Sequence, residues 1–410
     1  MDKVTEPAQT FRVDNVKAVG TTAMLLPRVC LVSTYPPTVC GLASFAASLR
    51  EAMTLCRGSG EGLDVVRVLG GSDDDLLPTG GEVVGNLDPS SARSIEDVTK
   101  QMANFDAVIL QHEYGIWGPD SGEAVLDLAE QIEIPLITTL HTVEARPNGT
   151  HRRILERLVA HSSLTAVLTR SAQRVLIDRY RIDARSTAVI PHGTHALPRN
   201  TLAKRSETAS SSGSAPTLLT WGLIGPGKGL ESALKAVALL RRPFPGLRYV
   251  IAGRTHPKVL DAQGEAYRLT LQHLASRLDL DQTVEFINDY LPRESLHELL
   301  RVADLVILPY DSTEQVVSGV LVEAVAAFVP VVATAFPHAV ELAGQGAVAT
   351  APNGSPKALA DTIAGLLESP QRMWRIVEAQ RRLAPSLEWM SVAAQYERAV
   401  REVTRIPAAV

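Results

Sequence analysis

A glycine-rich loop, GPGKG at residues 225–229, follows an apolar run and precedes an amphipathic helical pattern. Glycines let a backbone approach a ligand closely, and Lys228 stands where the first amide groups of a helix attract an anion. The spacing is not that of a Walker A loop, which requires G-x-x-x-x-G-K-[ST]. The segment therefore favours binding of a diphosphate by Lys228 and the backbone near Gly225. A solvated lysine at a helix start is the alternative interpretation.

A second loop of this kind is YPPTVCG, which ends at Gly41 and links a strand-like run to a helical pattern. Backbone N–H groups at the start of such a helix can face an anion. Taken alone, the pattern is also that of an ordinary strand-to-helix turn that uses the φ freedom of glycine.

Two histidines, His112 and His141, close strand-like runs in the first half of the chain. A single histidine at a strand end is more often structural than catalytic, whereas two on neighbouring strands of one cleft favour a function. Glu113 and Glu144 are acids close to them in the sequence. The sequence alone does not place these acids at the spacing of a general acid and base.

Residues 312–324, STEQVVSGVLVEA, carry two carboxylates on either side of a Ser-Gly step. Glu323 has apolar neighbours on both sides, and a carboxylate that becomes buried needs a partner. The segment is therefore either an ordinary amphipathic helix or part of a pocket for a charged, hydroxyl-rich ligand, with Glu314 and Glu323 facing that ligand.

Metal-binding and disulfide patterns are missing from the sequence. Cys30, Cys40 and Cys56 have neither zinc-like nor disulfide-like spacing, which favours a reducing compartment. The acidic run SDDD at 72–75 follows a glycine and is typical of a solvated loop. We therefore expect no metal site and no cofactor.

The elements that must position these residues are short apolar strands that alternate with helical patterns. Continuous hydrophobicity is typical of strands covered on both faces, as in a parallel sheet flanked by helices. We predict two doubly wound α/β domains that hold ligands at the carboxyl ends of their strands, in the cleft between the domains. The predicted boundaries are 1–27 for an N-terminal tail, 28–199 for the first domain, 200–216 for a linker, 217–385 for the second domain and 386–410 for a closing helical segment.

Composition excludes several classes of protein. The 410 residues carry a formal net charge of −5, so no overall basic field favours nucleic acid. The N-terminus lacks the basic-then-apolar order of a signal peptide, and we expect a cytoplasmic protein. The apolar run 319–336 is interrupted by Glu323 and Pro330, which predicts a buried helix and a buried strand rather than a membrane span. The basic run HRRILER, 151–157, is either a solvated helix face or a peripheral contact with an anionic membrane.

In order and spacing, these segments resemble the large retaining glycosyltransferases of GT-B type, the group 1 or family four enzymes such as glycogen, sucrose and phosphatidylinositol-mannose synthases. The resemblance runs from STYPPTVCG at 33–41, through VIPHGTH at 189–195, GPGKG and PVVAT, to LEWMSVAAQYERAV at 387–400. It implies a GT-B fold, in which two Rossmann-like domains face a cleft and the last helix crosses back to the first domain. Trp389 and Tyr396 would anchor that crossing.

The resemblance also implies roles for individual residues. His141 matches the position beside the transferring sugar, and Glu323 matches the glutamate on the nucleotide ribose. His112 and Glu113 fall on the acceptor side. Amides of Ser318–Val320 would face the diphosphate from a helix start. Residues expected to contact the donor are Gly41, Gly225, Lys228, Arg254, Gln315, Ser318, Gly319, Val320 and Glu323.

This chain departs from the family pattern at two places. The family's G-R-L step reads GLI at 222–224, so one phosphate-binding cation is missing, and Arg254 is the candidate replacement. The family's paired glutamates lie eight apart, and the residue eight before Glu323 is Gln315. Either Glu314 takes the role after a one-residue shift, which we favour, or Gln315 binds sugar hydroxyls as a neutral amide.

The expected activity is retaining transfer of a hexose, mannose or glucose, without an obligatory metal. The donor is a GDP-, UDP- or ADP-sugar, and the acceptor is a hydroxyl of a sugar, a lipid-linked molecule or a small molecule. We expect the backbone around 288–291 to recognise the base. An epimerase of the same fold and a non-catalytic nucleotide-sugar-binding protein are the alternatives.

Overall fold

The computed structural model describes residues 26–70, 78–195, 215–289, 291–311 and 317–405. Within them the chain forms two parallel sheets, one of seven strands and one of six. Each sheet lies between two layers of helices and buries an apolar core on each face. Most of the predicted linker, and all of the acidic run 72–75, lie outside the described residues.

The first sheet belongs to the first half of the chain. Its strands are β1 (Val29–Ser33), β2 (Leu63–Val68), β3 (Val83–Leu87), β4 (Ala107–His112), β5 (Leu136–Leu140), β6 (Leu164–Val167) and β7 (Thr187–Val189). Its helices are α1 (Gly41–Arg57), α2 (Ala92–Met102), α3 (Ala124–Ala129), α4 (Gly149–His161) and α5 (Arg170–Arg179). The strand order is β3-β2-β1-β4-β5-β6-β7. Leu31 and Val32 enter opposite cores, which explains why the strands are apolar at successive positions.

The second sheet repeats this build. Its strands are β8 (Thr217–Trp221), β9 (Arg248–Ala252), β10 (Val284–Ile287), β11 (Leu305–Leu308), β12 (Val331–Thr334) and β13 (Ala349–Ala351), in the order β10-β9-β8-β11-β12-β13. Its helices are α6 (Leu230–Leu240), α7 (Pro257–Gln263), α8 (Ala266–Arg277), α9 (Arg293–Val302), α10 (Gly319–Ala326), α11 (Pro337–Gly344) and α12 (Pro356–Leu367).

Each sheet has one point where the strand order reverses, between β1 and β4 and between β8 and β11. Open α/β sheets bind ligands in the crevice at this point, outside the carboxyl ends of the strands. The loops that begin there follow Ser33, His112, Trp221 and Leu308. The topology therefore gathers the predicted glycine loops and His112 at the two reversal points.

The apolar run 319–336 forms α10 followed by β12, as predicted. Both elements are almost wholly buried in the second domain, apart from Glu323 and the first turn of the helix. Among the described residues, no helix is long and apolar enough to cross a membrane.

The chain ends with two long helices, α13 (Pro370–Leu387) and α14 (Trp389–Arg405), of which the second lies on the first domain. Trp389 and Tyr396 are buried in the core that contains α1, and the Tyr396 hydroxyl lies 3.0 Å from Thr139 Oγ1 on β5. Arg57 and Glu397 form an ion pair at 2.5 Å, with 2% and 4% of their side chains exposed. The predicted crossing and its two aromatic anchors are confirmed.

Candidate active site

The loop between β8 and α6 has a backbone path that only glycine allows. Gly229 has φ 65°, and a Cβ there would lie 1.8 Å from the carbonyl oxygen of Pro309. The amide of Asp311 donates to the carbonyl of Gly227 at 3.0 Å. These contacts fix the loop against the end of β11.

Lys228 extends from this loop over the ring of Tyr310, with Nζ 4.6 Å from the ring centroid. Within the described ranges, its amine takes part in no ion pair. A cation held by an aromatic face, without a neutralising carboxylate, is suited to bind an anionic ligand.

Leu223 occupies the place of the missing arginine, and backbone hydrogen bonds bring Arg254 and His256 to the same loop. The amide of Ile224 donates to the carbonyl of Arg254 at 2.9 Å, and the amide of His256 donates to the carbonyl of Ile224 at 2.8 Å. Arg254 and His256 therefore lie beside the loop between β8 and α6, at the carboxyl end of β9.

Lys258 adds a positive charge on this side, and the ring of His256 lies near it. The Lys258 amide donates to His256 Nδ1 at 3.2 Å, so the proton of the neutral ring is assigned to Nε2. Burial, and then the charges of Lys228 and Lys258, lower the pKa of His256. Lys258 Nζ lies 3.3 Å from the place that a Cβ on Gly115 would take, so it reaches the first domain. An anion bound here would offset the charges of Lys228 and Lys258.

Glu323 on α10 has the partner that its burial requires. Trp221, the last residue of β8, donates from Nε1 to Glu323 Oε2 at 3.1 Å. Burial raises the pKa of Glu323, whereas this hydrogen bond and the charge of Arg293 lower it. With Oε2 engaged, Oε1 is the oxygen that could accept a ligand hydroxyl.

The start of α10 differs from the expected arrangement at one residue. Ser318 caps the helix, since its Oγ accepts from the Leu321 amide at 3.2 Å, but the Ser318 amide donates to His338 Nδ1 at 3.2 Å. That amide is therefore engaged in this structure. The amides of Gly319 and Val320 are the next donors of the first turn. Glu314 and Gln315 lie outside the described residues.

His141 follows the end of β5, and it contacts one neighbour through a ring nitrogen and another through ring packing. Its Nε2 lies 2.6 Å from Gln111 Oε1, and its ring packs edge-on against Phe45 at 4.8 Å. Burial, and then the nearby His192 and His112, lower the pKa of His141 to about 3. The imidazole is therefore neutral at neutral pH.

His112 on β4 is fully buried, and its pKa is lowered to about 3, chiefly by burial. In the part of the chain that the structure describes, neither of its ring nitrogens has a hydrogen-bond partner. Its ring packs edge-on against Tyr114 at 4.9 Å. A buried imidazole with two unsatisfied nitrogens is costly, so a hydrogen-bonding ligand that reached His112 would remove this cost.

Two carboxylates lie beside these histidines. Glu113 Oε2 accepts from Thr142 Oγ1 at 2.5 Å, and Glu144 Oε2 lies 2.9 Å from His151 Nδ1. Burial is the main cause that raises the pKa of Glu113, and the charge of Glu144 also raises it. The pair therefore shares one electrostatic environment, which the sequence alone did not reveal.

Gly41 is the first residue of α1, which Cys40 caps through its Sγ at 3.3 Å from the Ala43 amide. Gly41 is exposed, and a Cβ there would meet nothing within 4 Å. Packing among the described residues therefore does not require a glycine at position 41. If a side chain is sterically excluded there, the cause is something other than these residues.

Arg268 on α8 connects the loop after β10, which is expected to recognise the base, to the loop after β9. Its Nη2 donates to the carbonyl of Gly253 at 2.8 Å, and its Nη1 donates to Asn288 Oδ1 at 2.7 Å. The guanidinium is almost fully buried. Arg268 therefore fixes the loop after β9 relative to the loop after β10.

The arginines of the basic run 151–157 are paired. Arg152, Arg153 and Arg157 form ion pairs with Glu156, Glu123 and Glu130, respectively. These pairs reduce the net positive charge that α4 presents to its surroundings.

Comparison with solved structures defines the class of protein. A sucrose-phosphate synthase from Thermosynechococcus elongatus superposes with a TM-score of 0.71 at 16% identity, over 92% of this chain and 99% of that one. Anabaena HepE in complex with UDP and glucose superposes with a TM-score of 0.70 at 18% identity, over 92% of this chain and 100% of that one. The fold is GT-B, as predicted.

Sequence comparison gives the family. Residues 204–383 match the family described as glycosyl transferases group 1. A D-inositol 3-phosphate glycosyltransferase of Corynebacterium glutamicum is 30% identical over 294 residues, 67% of this chain and 68% of that one. A glycogen synthase of Mycobacterium tuberculosis is 27% identical over 298 residues, 68% and 67% of the two chains. The chain belongs to the group 1 glycosyltransferases, as the sequence motifs predicted, and it transfers a sugar from a nucleotide sugar.

Several residues of the site were missed by sequence reasoning. His256 and Lys258 alternate with Arg254 directly after a strand, and that run of basic residues was a usable signal. Trp221 and His338 contact Glu323 and Ser318 from distant positions in the chain. No local pattern marks such pairs.

Proposed function

We propose that this protein transfers glucose or mannose from a nucleoside diphosphate sugar to a hydroxyl group of an acceptor, with retention of the anomeric configuration. The observation that carries the proposal is the combination of Lys228, the first turn of α10 and Glu323 at the carboxyl edge of the second sheet. A diphosphate and a ribose with two hydroxyl groups are complementary to that set.

In this mechanism the second domain stabilises the charge that develops on the leaving diphosphate. Lys228 and Arg254 supply positive charge, and the amides of Gly319 and Val320 supply aligned donors at a helix start. We include no metal ion and no cofactor in the reaction, so a chelator should leave the rate unchanged. No side chain is assigned as a covalent nucleophile.

His141 is assigned to a hydroxyl of the transferring sugar. Its neutral ring, held by Gln111, gives a hydrogen bond without a charge that would compete for the diphosphate. His112 and Glu113 are assigned to the acceptor side, and Glu314 or Gln315 to the donor sugar. These roles follow the family resemblance.

The relatives suggest which substrates to test first. HepE is described with UDP and with UDP-glucose, which makes a uridine donor the first choice. The corynebacterial relative is named for D-inositol 3-phosphate, and the mycobacterial one for glycogen synthesis. A phosphorylated cyclitol is therefore the first acceptor to test, and a glucan is the second.

The test begins with a thermal-shift screen of UDP-, GDP- and ADP-sugars, since a ligand of the folded state raises the melting temperature. The stabilising donor is then incubated with each acceptor, and the product anomer is determined by NMR. An α-linked product from an α-donor is expected, and an inverted product would overturn retention. Isomerised donor without acceptor would indicate an epimerase. Donor binding with neither transfer nor hydrolysis would indicate a non-catalytic protein.

A further inference from the structure

A carboxylate of the second domain caps a helix of the first. Glu341 on α11 accepts from the Arg170 amide through Oε1 at 3.0 Å, and from the Ser171 amide through Oε2 at 2.8 Å. The Ser171 hydroxyl also lies 2.9 Å from Glu341 Oε2. Thr169 Oγ1 accepts a hydrogen bond from the Ala172 amide at 3.1 Å. The amides at the start of α5 therefore donate to side chains of both domains. A carboxylate is favoured there by charge and by hydrogen bonding.

One helical turn earlier on α11, His338 holds the start of α10. His338 is 5% exposed, and its Nδ1 accepts the Ser318 amide at 3.2 Å. This bond requires the neutral ring with its proton on Nε2, and burial lowers the pKa of His338 to about 4. The histidine therefore positions the residue directly before the amides of Gly319 and Val320.

The two contacts lie on one side of a single short helix. Residues three apart in a helix share a face, so His338 and Glu341 cannot move independently while α11 stays helical. The first domain also approaches α10 directly, since His192 Nε2 lies 3.1 Å from the place that a Cβ on Gly319 would take. The position of α10 and the contact between the domains are therefore mechanically linked through α11.

We propose that α11 positions the donor site, with His338 fixing the start of α10 and Glu341 setting it in register with the first domain. His338 and Glu341 are positioning residues, because they act through the Ser318 amide and the start of α5. The inference rests on the proposed function, in which the first turn of α10 binds the donor diphosphate.

The test measures binding of UDP, GDP and ADP by calorimetry, together with the KM for donor and for acceptor. His338→Phe removes the acceptor for the Ser318 amide and should weaken binding of the preferred nucleotide about tenfold, the effect of one lost hydrogen bond. His338→Asn places an amide oxygen near the position of Nδ1 and should restore most of that loss. Donor KM should rise in His338→Phe while acceptor KM stays unchanged.

Glu341→Gln keeps the shape of the side chain but loses the charge, and should weaken nucleotide binding several-fold. Glu368→Gln, at an exposed position after α12, is the matched control and should bind as the wild type does. In the double variant of His338→Phe and Glu341→Gln, the fold loss of nucleotide affinity should be smaller than the product of the two single fold losses. Both residues act through one helix, so their effects should not be independent.

The outcomes separate the two proposals. If the wild type binds none of the three nucleotides, the proposed function fails and the inference fails with it. If the wild type binds and the folded variants bind equally well, only the inference is overturned. Multiplicative losses in the double variant would overturn the linkage. If His338→Phe does not fold, the comparison of Glu341→Gln with Glu368→Gln decides.

Discussion

The two faces of the cleft share an α/β build and differ in their charge. The second domain brings Lys228, Arg254, His256 and Lys258 to one loop region, where burial, and then the charges of Lys228 and Lys258, lower the pKa of His256. The first domain brings neutral histidines and hydrogen-bonded carboxylates to the ends of β4 and β5. The positive charge of the second domain favours the diphosphate of the proposed donor, and the neutral polar groups of the first domain favour hydroxyl groups. The two faces of the cleft therefore differ in charge in a way that matches the proposed donor and acceptor sides.

The largest expected effect concerns the neutral histidines of the first domain. The pKa values of His112, His141 and His192 are lowered from 6.5 to about 3, 3 and 4, so the unfolded chain takes up protons below pH 6.5 while the folded chain does not. As the pH is lowered, the free energy of unfolding should decrease by at most about 4 kcal/mol per pH unit for the three histidines together. Urea unfolding at pH 7, 6 and 5 measures this slope. A stability that stays constant across this range would contradict the neutral assignment.

Lys228→Ala tests the opposite face. It removes a cation from the proposed diphosphate site, and kcat/KM should fall about 10²- to 10³-fold. Lys235→Ala on the exposed side of α6 is the matched control and should leave kcat/KM unchanged. Equal activity of the two variants would show that the charge of the donor loop is not used.

The missing arginine gives a sharper test of the same face. Arg254→Gln with Lys258→Gln should raise the donor KM about tenfold by removing charge near the diphosphate. Adding Leu223→Arg to that variant should restore much of the loss, because it returns the family's cation to the loop. Failure of Leu223→Arg to rescue a folded variant would argue that these side chains do not replace the arginine.

The smallest effect is expected for Glu113→Gln on the acceptor face. Burial already favours the neutral form of Glu113, and a glutamine can still accept from Thr142. Acceptor KM should change about two- to threefold and donor KM should not change. A large change in donor KM would contradict the proposal that Glu113 acts only on the acceptor.

The sequence predicted most of the fold because the information is local. Strands covered on both faces are apolar at successive positions, and Gly229 marks a turn that only glycine can make. The crossing of α14 was predicted from a family resemblance, and Trp389 and Tyr396 do occupy the first domain's core.

The site was less predictable because its partners are distant in the chain. Trp221 meets Glu323 across 102 residues, and His338 meets Ser318 across 20. The expectation that Ser318 offers its amide to a diphosphate did not foresee the contact with His338, because a hydrogen bond between two helices distant in the chain produces no periodic sequence pattern. Only the tertiary arrangement shows which donors are already engaged.

The crossing of α14 has a consequence for the order of events during synthesis. The face of α1 that covers Val29 and Leu31 is completed by residues made more than 300 positions later, including the partner of the buried Arg57. Domains generally fold as units in order of synthesis. Here the core of the first domain stays incomplete, with apolar surface exposed, until the end of the chain has been synthesised. We expect a fragment ending at residue 199 to be protease-sensitive, and adding a peptide of residues 386–405 to protect it.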